Sequence, residues 1–377
     1  MKRASARVGW LEARLPVAAW YRAGWRDAPV PRNLTLVFSA GMMLAVALAA
    51  ITLSGIWLGL AYVPAPGAAA LSIARYTHEV PFGWLVFDLH RDGVTMLFGV
   101  VYLGLVRGMF YGSYRGGREL AWVLEVARFA VFLGLGFFGF AMSGDPGAQR
   151  AMVEMARHIA AVPLAGPVVA RDFLGGPGIG PTSIAHMAMT HIAIGFLVLL
   201  IAMLGYLTSR LAPPAHPDGV GVADARDLVA QSEYAGQIFA AFVIFALILA
   251  VIVTLAPGLG YPAASATPPW YLLIFDGLGR AGRTAGGGVA LGVAALALLL
   301  ALPWLDRGRV ASRRYRPVYA TFVALFALNA ALLGVAAASG WTIVMVAATI
   351  WLFLHFLVVT PLVTLLETPR PVPERLR

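Results

Sequence analysis

The chain has 377 residues, 60% hydrophobic and 12% charged, with a formal net charge of +10 and no cysteine. A soluble domain carries about a quarter charged residues, so the composition predicts an all-α, polytopic membrane protein. The missing cysteines exclude disulfides, thiolate-held iron–sulfur clusters and covalent or thiolate haem attachment, and in so apolar a chain the excess arginine reads as loop charge, not nucleic-acid binding.

In chain order, residues 1–32 are mixed and basic. The run WLEARLPVAAWYRAGW suits a short interfacial helix, because Trp and Arg favour the polar boundary of a bilayer. No small-residue cleavage site follows a short apolar core, so the segment reads as mature cytoplasmic sequence. Eight apolar spans then follow at about 34–62, 85–110, 120–142, 182–207, 234–255, 289–302, 320–338 and 341–366. The sixth reaches spanning length only with its Gly-rich lead-in. Between the third and fourth spans, GDPGAQRAMVEMARHI predicts a surface helix and GGPGIGP a turn. The Gly/Pro-rich connection after the fifth span predicts one short central helix, and the connection between the first two spans reads as a loop.

Eight spans place residues 1–32, the second–third, fourth–fifth and sixth–seventh connections and the C-terminus on one face. Arg307, Arg309, Arg313, Arg314 and Arg316 crowd one of these connections. Lys and Arg favour the cytoplasmic side, which is electrically negative. Both termini are therefore expected on the cytoplasmic side of a bacterial-type inner membrane.

Imidazoles inside spans demand a reason. His90 lies near the start of the second span, and His186 and His191 near the start of the fourth. Both spans run in the same direction, so His90 and His191 fall at similar depth on the positive side. Two readings stand at this point: an axial ligand pair for one haem iron, or satisfied polar residues along a packing seam. His355 in the last span is a packing or proton-pathway residue. Close helix packing accounts for Gly41 and Gly55 whatever the function. No His-Glu-x-x-His or Walker-type sequence is present, and TAGGGVALG lacks a βαβ context. Matched broken spans of a transporter are likewise missing.

Ordered motifs over nearly the whole chain carry a resemblance. PRNL (31–34), GWLVFDLH, LVRGMFYGSY, RELAW, PPWYLL (268–273), LPWLD (302–306) and RYRPVY (314–319) recur in sequence. Together they resemble the cytochrome b subunit of quinol–cytochrome c oxidoreductase complexes. The resemblance implies a haem-binding four-helix bundle over 33–210, a C-terminal four-helix membrane region over 211–377, and an N-terminal segment over 1–32. It implies a subunit of a multi-subunit, quinone-linked oxidoreductase, with haem b as cofactor and ubiquinone or another quinone as ligand. Its partners would be a redox subunit carrying an iron–sulfur, flavin or c-type haem centre, and a second cytochrome b-like chain or a second copy of this one.

Residue by residue, the family stacks two b haems, each gripped by one histidine from the second span and one from the fourth. His90 and His191 match the ligands of the positive-side haem. The positions of the other two ligands hold Gly104 and Gly205. Gly55 and Gly139 match glycines beside the retained haem, whereas Glu125 stands where the family has a glycine beside the other. Arg128 is a candidate partner for Glu125, and Arg107 is expected to face the same volume. The family's quinol-oxidising Pro-Glu-Trp-Tyr reads Pro268-Pro269-Trp270-Tyr271, without the acid, and Ser143-Gly144-Asp145 replaces a Pro-Trp-Gly signature. Usual arginine contacts read Phe87 and His186. Asp88, His186, Asp276 and Arg280 remain as candidate polar groups near the propionates. Arg210 and Asp227 fall at the family's negative-side quinone site, Asp227 as quinone contact, proton relay or solvated cap. The resemblance thus implies one haem b near the positive side, or else a non-catalytic cytochrome b-like scaffold.

Overall fold

The computed structural model describes residues 10, 12–222, 224–259 and 267–377. Part of the basic N-terminal segment and the middle of the Gly/Pro-rich connection, 260–266, lie outside the described residues. Helix α1 (Val17–Tyr21) continues as a π-helical turn to Arg26, where the Trp/Arg pattern predicts an interfacial helix. Strand β1 (Pro29–Pro31) then pairs antiparallel with β2 (Leu228–Ala230), Val30 opposite Val229.

A 3-10 turn, Leu36–Ser39, leads into α2 (Ala40–Gly59), followed by α3 (Ala68–Glu79), α4 (Gly83–Tyr111) and α5 (Glu119–Ala141). Next come α6 (Pro146–Ala160), α7 (Gly166–Leu174), α8 (Ser183–Leu211) and α9 (Ala235–Leu255). The C-terminal part comprises α10 (Leu273–Ala281), α11 (Ala285–Leu305), α12 (Pro317–Ser339) and α13 (Thr342–Leu354). A π-helical turn, His355–Val359, joins α13 to α14 (Thr360–Leu366). Among the described residues eight helices are long and apolar enough to cross a membrane, matching the predicted spans one for one. The sixth begins at Ala285 in the Gly-rich lead-in, where the Thr284 hydroxyl caps the Gly287 amide at 3.0 Å.

Two connections are more ordered than their sequence suggests. The first–second connection is not a simple loop but contains α3, a 12-residue helix after left-handed Gly67, with Ala69 and Tyr76 buried. The third–fourth connection holds the predicted surface helix α6, capped by Asp145 with Pro146 at its first position, and also α7. Both added helices are short and derive their stability from docking on α4 and α8, which periodicity alone does not reveal.

The spans divide into sub-bundles. Helix α2 packs along α4 and α5 along α8, while these two pairs touch each other sparsely, leaving a slot between them. Helices α10 to α13 form a second body joined to the first through a continuous apolar core that includes Phe98, Phe132, Tyr271 and Leu333.

Side-chain bonds tie together the segments predicted to share a face. Asp306, after α11, takes two hydrogen bonds from Arg316 (2.8 and 2.9 Å) and one from the Tyr114 hydroxyl (2.7 Å). Burial would raise that carboxyl, but the Arg316 hydrogen bonds and charge prevail and hold it below its ordinary value. Asp218 joins Asn33, Arg314 and Tyr315. Residues before the first span, between the second and third, fourth and fifth, and sixth and seventh, and after the last thus meet on one arginine-rich face.

Candidate functional site

The slot between the α2–α4 and α5–α8 pairs has two polar layers. The first lies toward the face opposite the arginines. His90 from α4 and His191 from α8 point at each other across it, ring centroids 6.3 Å apart and planes at 74°. His90 Nδ1 lies 2.9 Å from the Ile51 carbonyl of α2, and His191 Nδ1 lies 3.0 Å from the Leu135 carbonyl of α5. A carbonyl only accepts, so each Nδ1 carries the proton and each Nε2 keeps its lone pair. Neither Nε2 has a hydrogen-bond partner among the described residues. Ser54 Oγ stands 3.4 Å from His90 Nδ1 while itself donating to Ala50.

The two glycines beside these rings are required by the close approach. A Cβ at Gly55 would lie 2.6 Å from His90 Cε1, and one at Gly139 would lie 2.9 Å from His191 Cε1. Helices α2 and α5 thus lean on the imidazoles, fix their rotation through the carbonyls and leave only the Nε2 edges facing the slot. This donor set fits a haem iron. The porphyrin supplies its own nitrogens and the protein adds two axial ligands, whose other nitrogens are normally bound to an acceptor. A ring separation of 6.3 Å admits two metal–imidazole bonds of about 2 Å each plus the two ring radii. Among the described residues no group of three or more His, Cys, Asp or Glu could hold a metal ion on protein donors alone.

The second layer lies in the arginine-rich half, about 21 Å further along α4 at 1.5 Å per residue. Gly104 of α4 and Gly205 of α8 stand there, with the ion pair Glu125–Arg128 of α5 between them. A Cβ at Gly104 would lie 3.8 Å from Glu125 Oε1, and one at Gly205 would lie 3.4 Å from Arg128 Nη1. The pair thus touches both positions at which the resemblance expects ligands. Arg107 lies over the Phe38 ring at 5.0 Å and within Coulombic reach of Glu125. Gly41 meets nothing within 4 Å of its Cβ position. Residues at this layer do not fit a second haem, because no axial donor reaches in from α4 or α8.

The other sequence-predicted residues scatter around these layers. His186 turns toward the end of α7, its Nδ1 2.8 Å from where a Gly175 Cβ would stand. Asp88 pairs with Arg91 at 2.6 Å, and Arg91 also reaches Asp92, whose carboxylate accepts from the Gly258 amide at 3.0 Å. Asp276 and Arg280 pair with each other, and Arg280 also donates to the Ala337 carbonyl. After Pro269, the Tyr271 ring stacks flat on Phe98 at 4.1 Å and is 1% exposed. Arg210 is exposed and reaches Gln231. Asp227 is no solvated cap: it is 3% exposed and paired with Arg375 (3.1 Å) and Arg32 (3.4 Å). His355 is fully buried on Phe326, with neither ring nitrogen bonded. Sequence reasoning missed the carbonyls of Ile51 and Leu135, because a backbone acceptor has no letter. Ser54, adjacent to Gly55, donates to the same Ile51 carbonyl at 3.1 Å.

Comparisons with known proteins agree with this architecture. Residues 25–211 match the family described as Cytochrome b/b6/petB, and residues 256–357 match Cytochrome b(C-terminal)/b6/petD. The chain is 28% identical to the cytochrome b of Rickettsia conorii, over 100% of this chain and 98% of that one. It is also 28% identical to the cytochrome b of Rhodospirillum rubrum, over 97% and 94%. Its fold superposes on a chain of a hyperthermophilic respiratory Complex III with a TM-score of 0.86 at 22% identity, over 95% and 98% of the two chains. The chain belongs to the cytochrome b family and is a membrane subunit of the bc-type quinone oxidoreductases.

Proposed function

We propose that this subunit carries a single b-type haem between His90 and His191 and conducts electrons within a quinone-linked complex. The observation that supports it is the facing pair of imidazoles, each locked by a carbonyl at Nδ1 and pressed by a glycine. A b haem bound there would take up and release one electron at a time. The chain's own residues do the positioning. Ile51 and Leu135 hold the tautomer, Gly55 and Gly139 let the helices close, and the surrounding apolar span keeps water from the ligands.

The arginine-rich face belongs, on this reading, to the cytoplasmic, negative side, with the histidine layer near the positive side. The bundle over 33–210 is the electron-carrying part, and 211–377 a docking region. Redox partners with iron–sulfur, flavin or c-type haem centres would exchange electrons on the positive side, and Arg210 and Asp227 would border a quinone or proton path on the other. A pyridine haemochrome titration of the purified chain tests the assignment. One b haem per chain is expected, and two would overturn it.

A second reading is a cytochrome b-like scaffold that assembles a complex without quinol chemistry of its own. Pro269 in place of an acid and the Tyr271–Phe98 stack favour it. No haem in the same titration would select this reading.

A further inference from the structure

The layer at Gly104 and Gly205 is more than a blocked haem site. Three charged side chains face it from within two spans: Arg107 on α4, and Glu125 and Arg128 on α5. Their sum is one positive charge in excess. Arg128 is 9% exposed, and its Nε has no hydrogen-bond partner; Arg107 Nε is likewise buried and unpartnered. An arginine N–H left unbonded inside a span is costly, and such groups mark ligand sites when no protein acceptor is supplied. The Glu125–Arg128 pair consumes only one edge of the Arg128 guanidinium. Glu125 itself keeps 32% of its side-chain surface exposed.

The surroundings specify the ligand. Phe38 supplies an aromatic wall beneath the Arg107 guanidinium. Gly41, Gly104 and Gly205 add no side chain, and a Cβ at each would find open space or ordinary contact. Helices α2 and α8, which border the slot, are among the least buried of the eight spans, and within the layer Gly41 is exposed and Glu125 half-buried, so the layer opens laterally toward lipid. Two N–H donors, one carboxyl, an aromatic wall and a lipid-side opening match a flat, neutral ring with two carbonyl acceptors and a long apolar tail. A phospholipid phosphate suits the layer less well, since Glu125 repels it and the layer lies about 9 Å below the end of α8 at 1.5 Å per residue.

We propose that Phe38, Gly104, Arg107, Glu125, Arg128 and Gly205 form a quinone-headgroup site within the arginine-rich half of the bundle. This rests on the chain's place in a quinone-linked complex and not on the haem at His90 and His191. The site is distinct from Arg210 and Asp227, which lie at the surface end of α8 and on the ion-paired loop after it. It places a quinone ring closer to the histidine layer than Arg210 could.

The test uses the full chain in lipid nanodiscs, an azido-labelled short-chain ubiquinone, and peptide mapping after illumination. Label is expected on 101–111 and 119–130. Removing both charges together, Glu125→Gln with Arg128→Met, should weaken binding of the unlabelled quinone about tenfold, the loss expected for one charge-assisted hydrogen bond. Gly104→Leu, which fills the slot and keeps every charge, should do the same and guards against misfolding of the double variant. Haem content is read separately on each sample, so loss of haem with retained labelling counts against the proposed function alone. Label confined to other spans, unchanged affinity in Gly104→Leu, or a phospholipid found in the layer by native mass spectrometry would each overturn the proposal.

Discussion

One slot between the same four helices holds two layers built on opposite principles. In the histidine layer the polar side chains bond outward to backbone carbonyls of α2 and α5, and their free nitrogens face each other. In the arginine-rich layer the polar side chains of α5 bond to one another, α4 contributes Gly104 and Arg107, and α8 contributes Gly205, with no imidazole among them. The first arrangement presents lone pairs to a metal. The second presents N–H donors and a carboxylate, which a metal iron centre cannot use as an axial pair. Helix packing permits either outcome, so what each layer can bind is decided by a handful of side chains.

The largest effect should come from breaking the first layer at its donors. His90→Ala or His191→Ala is expected to abolish the b-type absorbance entirely, each alone, since one imidazole cannot replace the other. Visible spectra of the purified variants check this. Retained absorbance in either would mean that the ligands lie elsewhere and the two layers are not what separates the halves.

Breaking the second layer tests the charge pairing. Arg128→Met leaves half-buried Glu125 with only Arg107 in Coulombic reach and should destabilise the chain by about 1–3 kcal/mol, the cost of stranding a polar group without its hydrogen-bond partner. Adding Glu125→Gln should recover most of that loss, because the stranded charge is removed with it. Unfolding of both variants in the same detergent gives the difference. Equal destabilisation would show that the pair is hydrated and that the layer is an aqueous surface.

Much of this was legible in the residues, and the limits are physical. Apolar length located all eight spans, and the matched depth of His90 and His191 in spans of the same direction implied that the two could meet. The i,i+3 spacing of Glu125 and Arg128 revealed their ion pair. Its position between Gly104 and Gly205 was suggested only by the resemblance, because helix rotation is set by packing and not by period. Asp227 illustrates the harder case: its partners Arg32 and Arg375 lie at the two ends of the chain, where no local pattern links them. The helices α3 and α7 were missed because they are stabilised by what they dock on.

The glycines give a comparison of medium size. At Gly55 an added Cβ would stand 2.6 Å from His90 Cε1. The ring is held by the Ile51 carbonyl and cannot swing away without losing that bond. Gly55→Ala should therefore cost about 1–3 kcal/mol, as overpacking does, and lower haem content with it. Gly139→Ala, at 2.9 Å from His191 Cε1, should be milder. A thermal shift followed at the haem band ranks them.

Gly41→Ala carries the smallest expected effect and the sharpest contrast. Gly41 lies on the same helix as Gly55, in the arginine-rich half, and its Cβ position meets nothing within 4 Å. Alanine there meets no ring, and it removes the entropic cost of glycine in a helix, so the chain should become more stable by about 0.5–1 kcal/mol. The two substitutions are chemically identical and differ only in which layer they face. If Gly41→Ala is as damaging as Gly55→Ala, a rigid group fills the second layer up to α2, and the distinction between the halves fails. If it is neutral or stabilising for folding yet weakens quinone binding, the open space beside Gly41 belongs to the quinone layer and not to a vestige of haem packing.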